Sequence, residues 1–294
     1  MVERLSWSRK IFVVTNYLFL ITLAVMCIIP LLHVLAISLS SSSAAASGLV
    51  VLWPVNFTWE SYKLILSKPE FLQSFWISVQ RVLLGVTINM VLTVLIAYPL
   101  SKDNAALKGR TLYVWLFVFT MLFNGGLIPL YMTIKNLGLL DTIAALVLHH
   151  AVPVFNVVIL INFFRALPKE LEEAALVDGA GHFTILQKIY LPLSLPSLAT
   201  LTLFATVNQW NAWFDGIIFM NTPANYPLQS YLYTVINSVN TLLVNSVDVE
   251  MIALVSDSTA KSAQIFLGAL PVLLIYPFLQ KYFMKGLILG SVKE

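Results

Sequence analysis

Residues 167–192 read LPKELEEAALVDGAGHFTILQKIYLP, a polar island between two strongly apolar runs. Pro168 opens a short helix at a position where its missing N–H costs nothing. Glu170, Glu172 and Glu173 occupy the early turns, where negative charge suits the helix dipole. Leu171, Ala174, Ala175 and Asp178 fall on one face at helical spacing, so that face is small-sided and fit to lie close against a partner. Gly179 stands where a helix end wants a residue of positive φ. A second helix is expected to follow, with Phe183, Leu186, Ile189 and Tyr190 on one side, and Pro192 is expected to end it.

The flanking runs set the fold class. The chain of 294 residues is 59% hydrophobic and 11% charged, with mean hydropathy +0.86. A soluble domain carries about 25% charged residues, so this composition is that of an all-α integral membrane protein. The net charge of +3 is small and its basic residues are scattered, which argues against a nucleic-acid partner and leaves membrane lipid as the surroundings. Cys27 lies alone in an apolar run, so neither a disulfide framework nor a thiolate metal site is available.

Six stretches are long enough to cross a hydrocarbon core of about 30 Å at about 1.5 Å per residue. They are 11–37, 76–100, 111–131, 143–164, 193–219 and 265–283. The Lys/Arg bias orients them. With the N-terminus inside, twelve basic residues are cytoplasmic: Arg4, Arg9, Lys10, Lys102, Lys108, Arg110, Arg165, Lys169, Lys188, Lys281, Lys285 and Lys293. Four are external, namely Lys63, Lys68, Lys135 and Lys261, and Arg81 lies within the second run. Both termini and the 167–192 loop are therefore expected in the cytoplasm of a multi-pass protein. Residues 220–262 form the largest external segment, expected to be partly helical.

No phosphate-binding loop of the G-x-x-x-x-G-K-[S/T] type occurs, so the chain is not expected to hydrolyse ATP itself. His149 and His150 are adjacent and expected to point to different helix faces, which makes them a poor metal pair. Arg81 either lines a pathway and meets an anionic substrate, or snorkels or pairs with a neighbour such as Asp215. Asn208-Gln209-Trp210-Asn211-Ala212-Trp213-Phe214-Asp215 joins aromatic faces to amides. Such a set suits sugars, since rings cover C–H faces and amides satisfy hydroxyls. An aromatic belt at the membrane interface accounts for the tryptophans but not for the three amides.

Glu173-Ala174-Ala175, Gly179, Ile189, Leu191 and Pro192 fill every fixed position of the pattern E-A-A-x3-G-x9-I-x-L-P. The loop thereby resembles the "EAA" loop of ABC importer permeases. Trp210-Asn211 with Trp213-Phe214 is similar to a signature of carbohydrate-importing permeases. Ala97–Lys102, Leu52-Trp53-Pro54, Phe57-Thr58 and the stretch Tyr276–Gly286 with Gly290–Lys293 extend the similarity over nearly the whole chain. The resemblance is to the maltose-type carbohydrate uptake family, within its oligo- and polysaccharide branch that includes the smaller alginate-importer permease. Glu294 departs from it, since many relatives end in glycine.

The resemblance implies a type I importer permease fold and a second, homologous permease as heterodimer partner. It also implies two ABC ATPases that bind ATP and Mg, and an extracytoplasmic solute-binding protein near 220–262. The chain would bind no cofactor of its own and sit in a bacterial cell membrane. Glu173 would then pair with a basic group of the ATPase, Ala174 and Ala175 would permit close approach, and Gly179 would permit the seating turn. An ATP-independent secondary sugar transporter or channel is the alternative; it calls for intramembrane carboxylate relays that the spans lack.

Overall fold

A computed structural model describes residues 7–245 and 258–291. The remainder of the expected 220–262 segment (246–257, with Asp248, Glu250 and Asp257), Arg4 and the Lys293–Glu294 tail lie outside the described residues. Among the described residues the structure is helical and has no strand. The chain divides into two compact units, Met1–Pro69 with Thr234–Leu270, and Glu70–Tyr233 with Pro271–Glu294.

In the first unit α1, Trp7–Ser38, exposes nearly all its side chains although they are Ile, Leu, Val and Phe. A helix that is apolar all round and uncovered is one whose solvent is hydrocarbon. The Ser/Ala-rich stretch after it folds back as a short helix, α2 (Ser42–Ala46), whose Ala44 is buried with Ala36 and Val50. Helix α3, Glu60–Leu66, is tied by the Ser61 hydroxyl to Thr259 at 2.7 Å.

The second unit is built on α4, Pro69–Ser101. Its buried face carries Ser74, Ser78, Arg81, Gly85, Asn89 and Thr93 at steps of three or four residues, while Leu72, Trp76, Leu83, Leu84, Val91 and Leu95 are exposed. This is amphipathicity turned inside out, with the polar stripe packed inward.

Three of the expected spans are each divided between two helices. The run at 111–131 becomes α5 (Arg110–Leu122) and α6 (Leu127–Asn136), bent by 111°. There the Asn124 carboxamide accepts from the Gly126 N–H at 2.9 Å, and Gly126 takes φ +91°. The run at 143–164 becomes α7 (Ile143–Leu148) and α8 (Val154–Ala166). After α9 (Lys169–Val177) and α10 (His182–Leu193), the run at 193–219 becomes α11 (Leu195–Asn211) and α12 (Phe214–Phe219), with α10 and α11 bent by 82°. Helices α13 (Leu228–Asn245) and α14 (Ser258–Ser291) complete the chain.

The loop at 167–192 departs from expectation in two places. Residues 186–190 form a wide π-type turn, and the helix ends at Leu193, one residue past Pro192. A proline ring within a helix strikes the carbonyl four residues back, and the wide turn relieves that clash. Phe183 is not on the packed side, being 72% exposed, because Ile185, Leu186 and Tyr190 take the inward positions.

Candidate functional site

A cavity of about 800 Å3 opens within the second unit, between the unbroken α4 and three helix interruptions. Asn124 and Gly126 come from the α5–α6 break, His149, His150 and Pro153 from the α7–α8 break, and Ala212 and Trp213 from the α11–α12 break. Unwound backbone at membrane depth survives only where protein buries it or a wet cavity receives it. The polar stripe of α4 supplies the burial. Asn89 Nδ2 donates to the carbonyls of His150 (2.8 Å) and Ala151 (3.0 Å), in the non-helical break between α7 and α8. Arg81 Nη1 donates to the Ala212 carbonyl at 3.2 Å, just past the end of α11.

Arg81 is the centre of this network and is 1% exposed. Its guanidinium grips Asp215 in bidentate fashion, with Nη1 on Oδ1 at 3.0 Å and Nη2 on Oδ2, and its Nε donates to Gln209 Oε1 at 3.1 Å. His149 Nε2 lies 3.5 Å from Asp215 Oδ2, while its Nδ1 sits 2.7 Å from the Ala145 carbonyl. Gly85 makes the close approach possible: a Cβ there would come within 2.7 Å of Gln209 Cδ. The alternative of pairing with Asp215 thus describes the geometry of Arg81.

Of the other residues singled out in the sequence, Asn208, Asn211, Trp213 and Asp215 line the cavity. Trp210 does not; it is buried edge-on against Phe75 at 5.7 Å. Asn89, Asn124, Asn156 and Gln209 complete the polar lining. Single amides within apolar runs were the available signal for Asn89 and Asn156. The histidine expectation is corrected. Rings of His149 and His150 lie 4.1 Å apart rather than on opposite faces, because α7 ends at Leu148 and the helical spread of side chains ends with it. Among the described residues no group of His, Cys, Asp and Glu is arranged to hold a metal.

The loop forms a second constellation. Helix α9 closes with a Schellman turn: Ala180 N–H donates to Ala175 O at 2.9 Å, Gly179 N–H to Leu176 O at 3.0 Å, and Gly179 takes φ +80°. Glu173 and Ala174 are exposed, as is Pro192, whereas Ala175, Ile189 and Leu191 pack on the buried cluster of Tyr98, Phe164, Ile185 and Tyr190. Val177 is 88% exposed, so with Phe183 it presents an apolar surface beside the acidic one.

Behind that surface Lys102 Nζ sits 4.0 Å from the Tyr98 ring centre and 4.2 Å from that of Tyr190. It donates to Glu172 Oε1 at 2.7 Å, and the Tyr190 hydroxyl donates to Glu172 Oε2 at 2.5 Å. Burial pushes the Glu172 carboxyl up, but the bonds from Lys102 and Tyr190 outweigh it and hold the group below the ordinary range. Burial, and then the neighbouring Glu172 carboxylate, raise the Tyr190 phenol, so it stays protonated and donates. For Lys102 burial dominates and lowers the ammonium against the pull of Glu172.

Apolar exteriors, helices broken around a polar cavity and a pinned polar loop define a membrane transport component. The chain belongs to the family described as binding-protein-dependent transport system inner membrane component, whose profile matches residues 7–288. Two similar proteins are from Bacillus subtilis (strain 168). Protein LplC is 40% identical over 286 residues, covering 97% of this chain and 96% of the relative. The polygalacturonan/rhamnogalacturonan transport system permease protein YtcP is 39% identical over 291 residues, covering 97% and 99%. Among solved structures, a chain from a bacterial ABC transporter involved in the import of the acidic polysaccharide alginate superposes with TM-score 0.83 at 32% identity. That match covers 96% of this chain and 100% of the other.

Proposed function

We propose that this chain is the membrane-spanning permease subunit of an ATP-driven importer that carries an oligo- or polysaccharide, and specifically an acidic one, into the cytoplasm. The observation that carries the reading is the cavity beside three helix breaks, lined by Asn89, Asn124, Asn208, Asn211 and Trp213. Amides and an aromatic face match the alternating hydroxyl and C–H surfaces of a sugar. The names of the relatives, a permease for polygalacturonan and a transporter for alginate, support both the saccharide and its acidity.

In this reading the chain crosses the bacterial membrane six times at 11–37, 76–100, 111–131, 143–164, 193–219 and 265–283, with both ends in the cytoplasm. The α5–α6, α7–α8 and α11–α12 breaks lie inside three of those crossings. A homologous second permease completes the pathway, a solute-binding protein delivers saccharide to the 220–262 side, and two ABC ATPases bind ATP and Mg. Glu173, Ala174 and Gly179 form the face on which an ATPase docks, backed by Ile189, Leu191 and Pro192. Trp210 supports the pathway through Phe75 rather than touching sugar.

Reconstitution of the complete importer tests this. Binding protein loaded with uronate oligosaccharide should stimulate ATP hydrolysis. Glu173→Ala and Gly179→Val should abolish that stimulation while the complex still assembles. Asn211→Ala should weaken uptake with assembly intact. Uptake into vesicles that lack the ATPases would instead support the ATP-independent alternative.

A further inference from the structure

The charged groups around the cavity leave an acidic substrate without an obvious partner. Arg81 is spent on Asp215, Gln209 and the Ala212 carbonyl. Electropositive character is nevertheless present at the start of α8, a 13-residue helix whose N-cap, Pro153, lines the cavity. No side chain caps this end, and its first internal bond runs from Val157 N–H to Pro153 O at 3.1 Å. The N–H groups of residues 154–156 therefore precede the hydrogen-bonded ladder and carry the positive end of the helix dipole. The carbonyls of His150 and Ala151, which precede α8 in the same break, are occupied by Asn89.

A second observation falls at the same place. Asn156, three residues into α8, is 3% exposed and lines the cavity, and its Nδ2 has no hydrogen-bond partner. A buried amide donor left unmade is unfavourable, so a ligand that accepts from it is favoured. Helix dipole, free N–H groups and amide all present donors, and a carboxylate is an acceptor with charge of the matching sign.

We propose that the N-terminus of α8 and Asn156 form the subsite that receives the carboxylate of a uronate unit as the saccharide crosses the cavity. This rests on the saccharide-importer reading above. Arg81 then acts as a structural cation, and preference for acidic sugar resides in an uncharged helix end.

The test is equilibrium binding of trigalacturonate and of its methyl ester to the whole importer in nanodiscs, without binding protein or nucleotide. Intrinsic tryptophan fluorescence is the readout, with the Trp213→Phe importer as the control that assigns the signal to the cavity. Wild type should bind the acid about ten-fold more tightly than the ester, the size expected for a dipole plus a charge-assisted bond. Asn156→Asp, which keeps the shape and adds like charge, should abolish that preference, and Asn156→Leu should reduce it about three-fold. Should Asn156→Asp fail to assemble with the second permease, the ratio in Asn156→Leu and Asn156→Ser decides. An unchanged acid-to-ester ratio in the variants, or a wild type that binds neither form or both alike, overturns the subsite. A wild-type importer whose ATP hydrolysis answers to no saccharide-loaded binding protein overturns the importer reading instead.

Discussion

Two cation–carboxylate pairs anchor α4, one within the helix and one just past its C-terminal end, and they are built differently. Arg81 and Asp215 are 1% and 10% exposed, meet in bidentate geometry and hold helix ends that the breaks leave open. Lys102 and Glu172, at 12% and 17%, are joined by a single ammonium contact between two tyrosine rings. The planar fork of arginine can satisfy three acceptors at once, and a buried charge demands that many. A lysine point charge suits a linkage between a loop helix and a span, where water still reaches the pair. The first pair builds a wall, and the second attaches a lever.

The largest effect should come from breaking the wall. Arg81→Met leaves Asp215 buried and uncompensated, at a cost of about 3–5 kcal/mol read from thermal unfolding of the assembled complex. Arg81→Met combined with Asp215→Leu should recover most of that loss. A double variant as unstable as the single one would show that the helix-end contacts, not the charges, dominate. Next, Lys102→Met should free α9, costing about 1.5–3 kcal/mol of local stability measured as hydrogen exchange in residues 169–177. Unaltered exchange there would deny the linkage.

A smaller effect follows from titration. The Glu172 carboxyl is held low in the folded chain, so its contribution is fully present above the ordinary carboxylate value of about 4.3 and fades as pH falls below it. Protection factors in α9, which correct for the intrinsic slowing of exchange in acid, should therefore fall on acidification through that range, and Glu172→Gln should remove the dependence. Least of all, Asp103→Asn should change nothing measurable. The Lys169–Asp103 pair joins the same loop to the end of α4, but both side chains are 70% exposed and solvent screens them.

The loop was legible because its information is local. Helix α9, its acidic first turn and the Schellman glycine depend on neighbours in sequence, and 173–179 hold the conformation that spacing demands. The helical, lipid-facing character of the apolar runs was legible for the same reason. The helix breaks were not, because a hydropathy run records burial in lipid and is blind to where the backbone unwinds. Asn124-Gly125-Gly126 and the proline in His149–Pro153 were the available signs. The polar stripe of α4 emerges only once Ser74, Ser78, Arg81, Gly85, Asn89 and Thr93 are read as one inward face. The Arg81–Asp215 grip spans 134 residues of chain, and composition alone left it as one alternative among several.

The notch at Gly85 also has a mechanical meaning. The amide of Gln209 fills it like a key, and bonds to Arg81 and reaches to within 3.5 Å of Asn89 on either side of the slot. Sliding α4 along α11 by any fraction of a turn would shear those contacts together with the backbone carbonyl at Ala212. The two helices consequently travel as one strut, Asn89 ties the 149–153 break to it as well, and any widening of the cavity falls to the wall at 123–126.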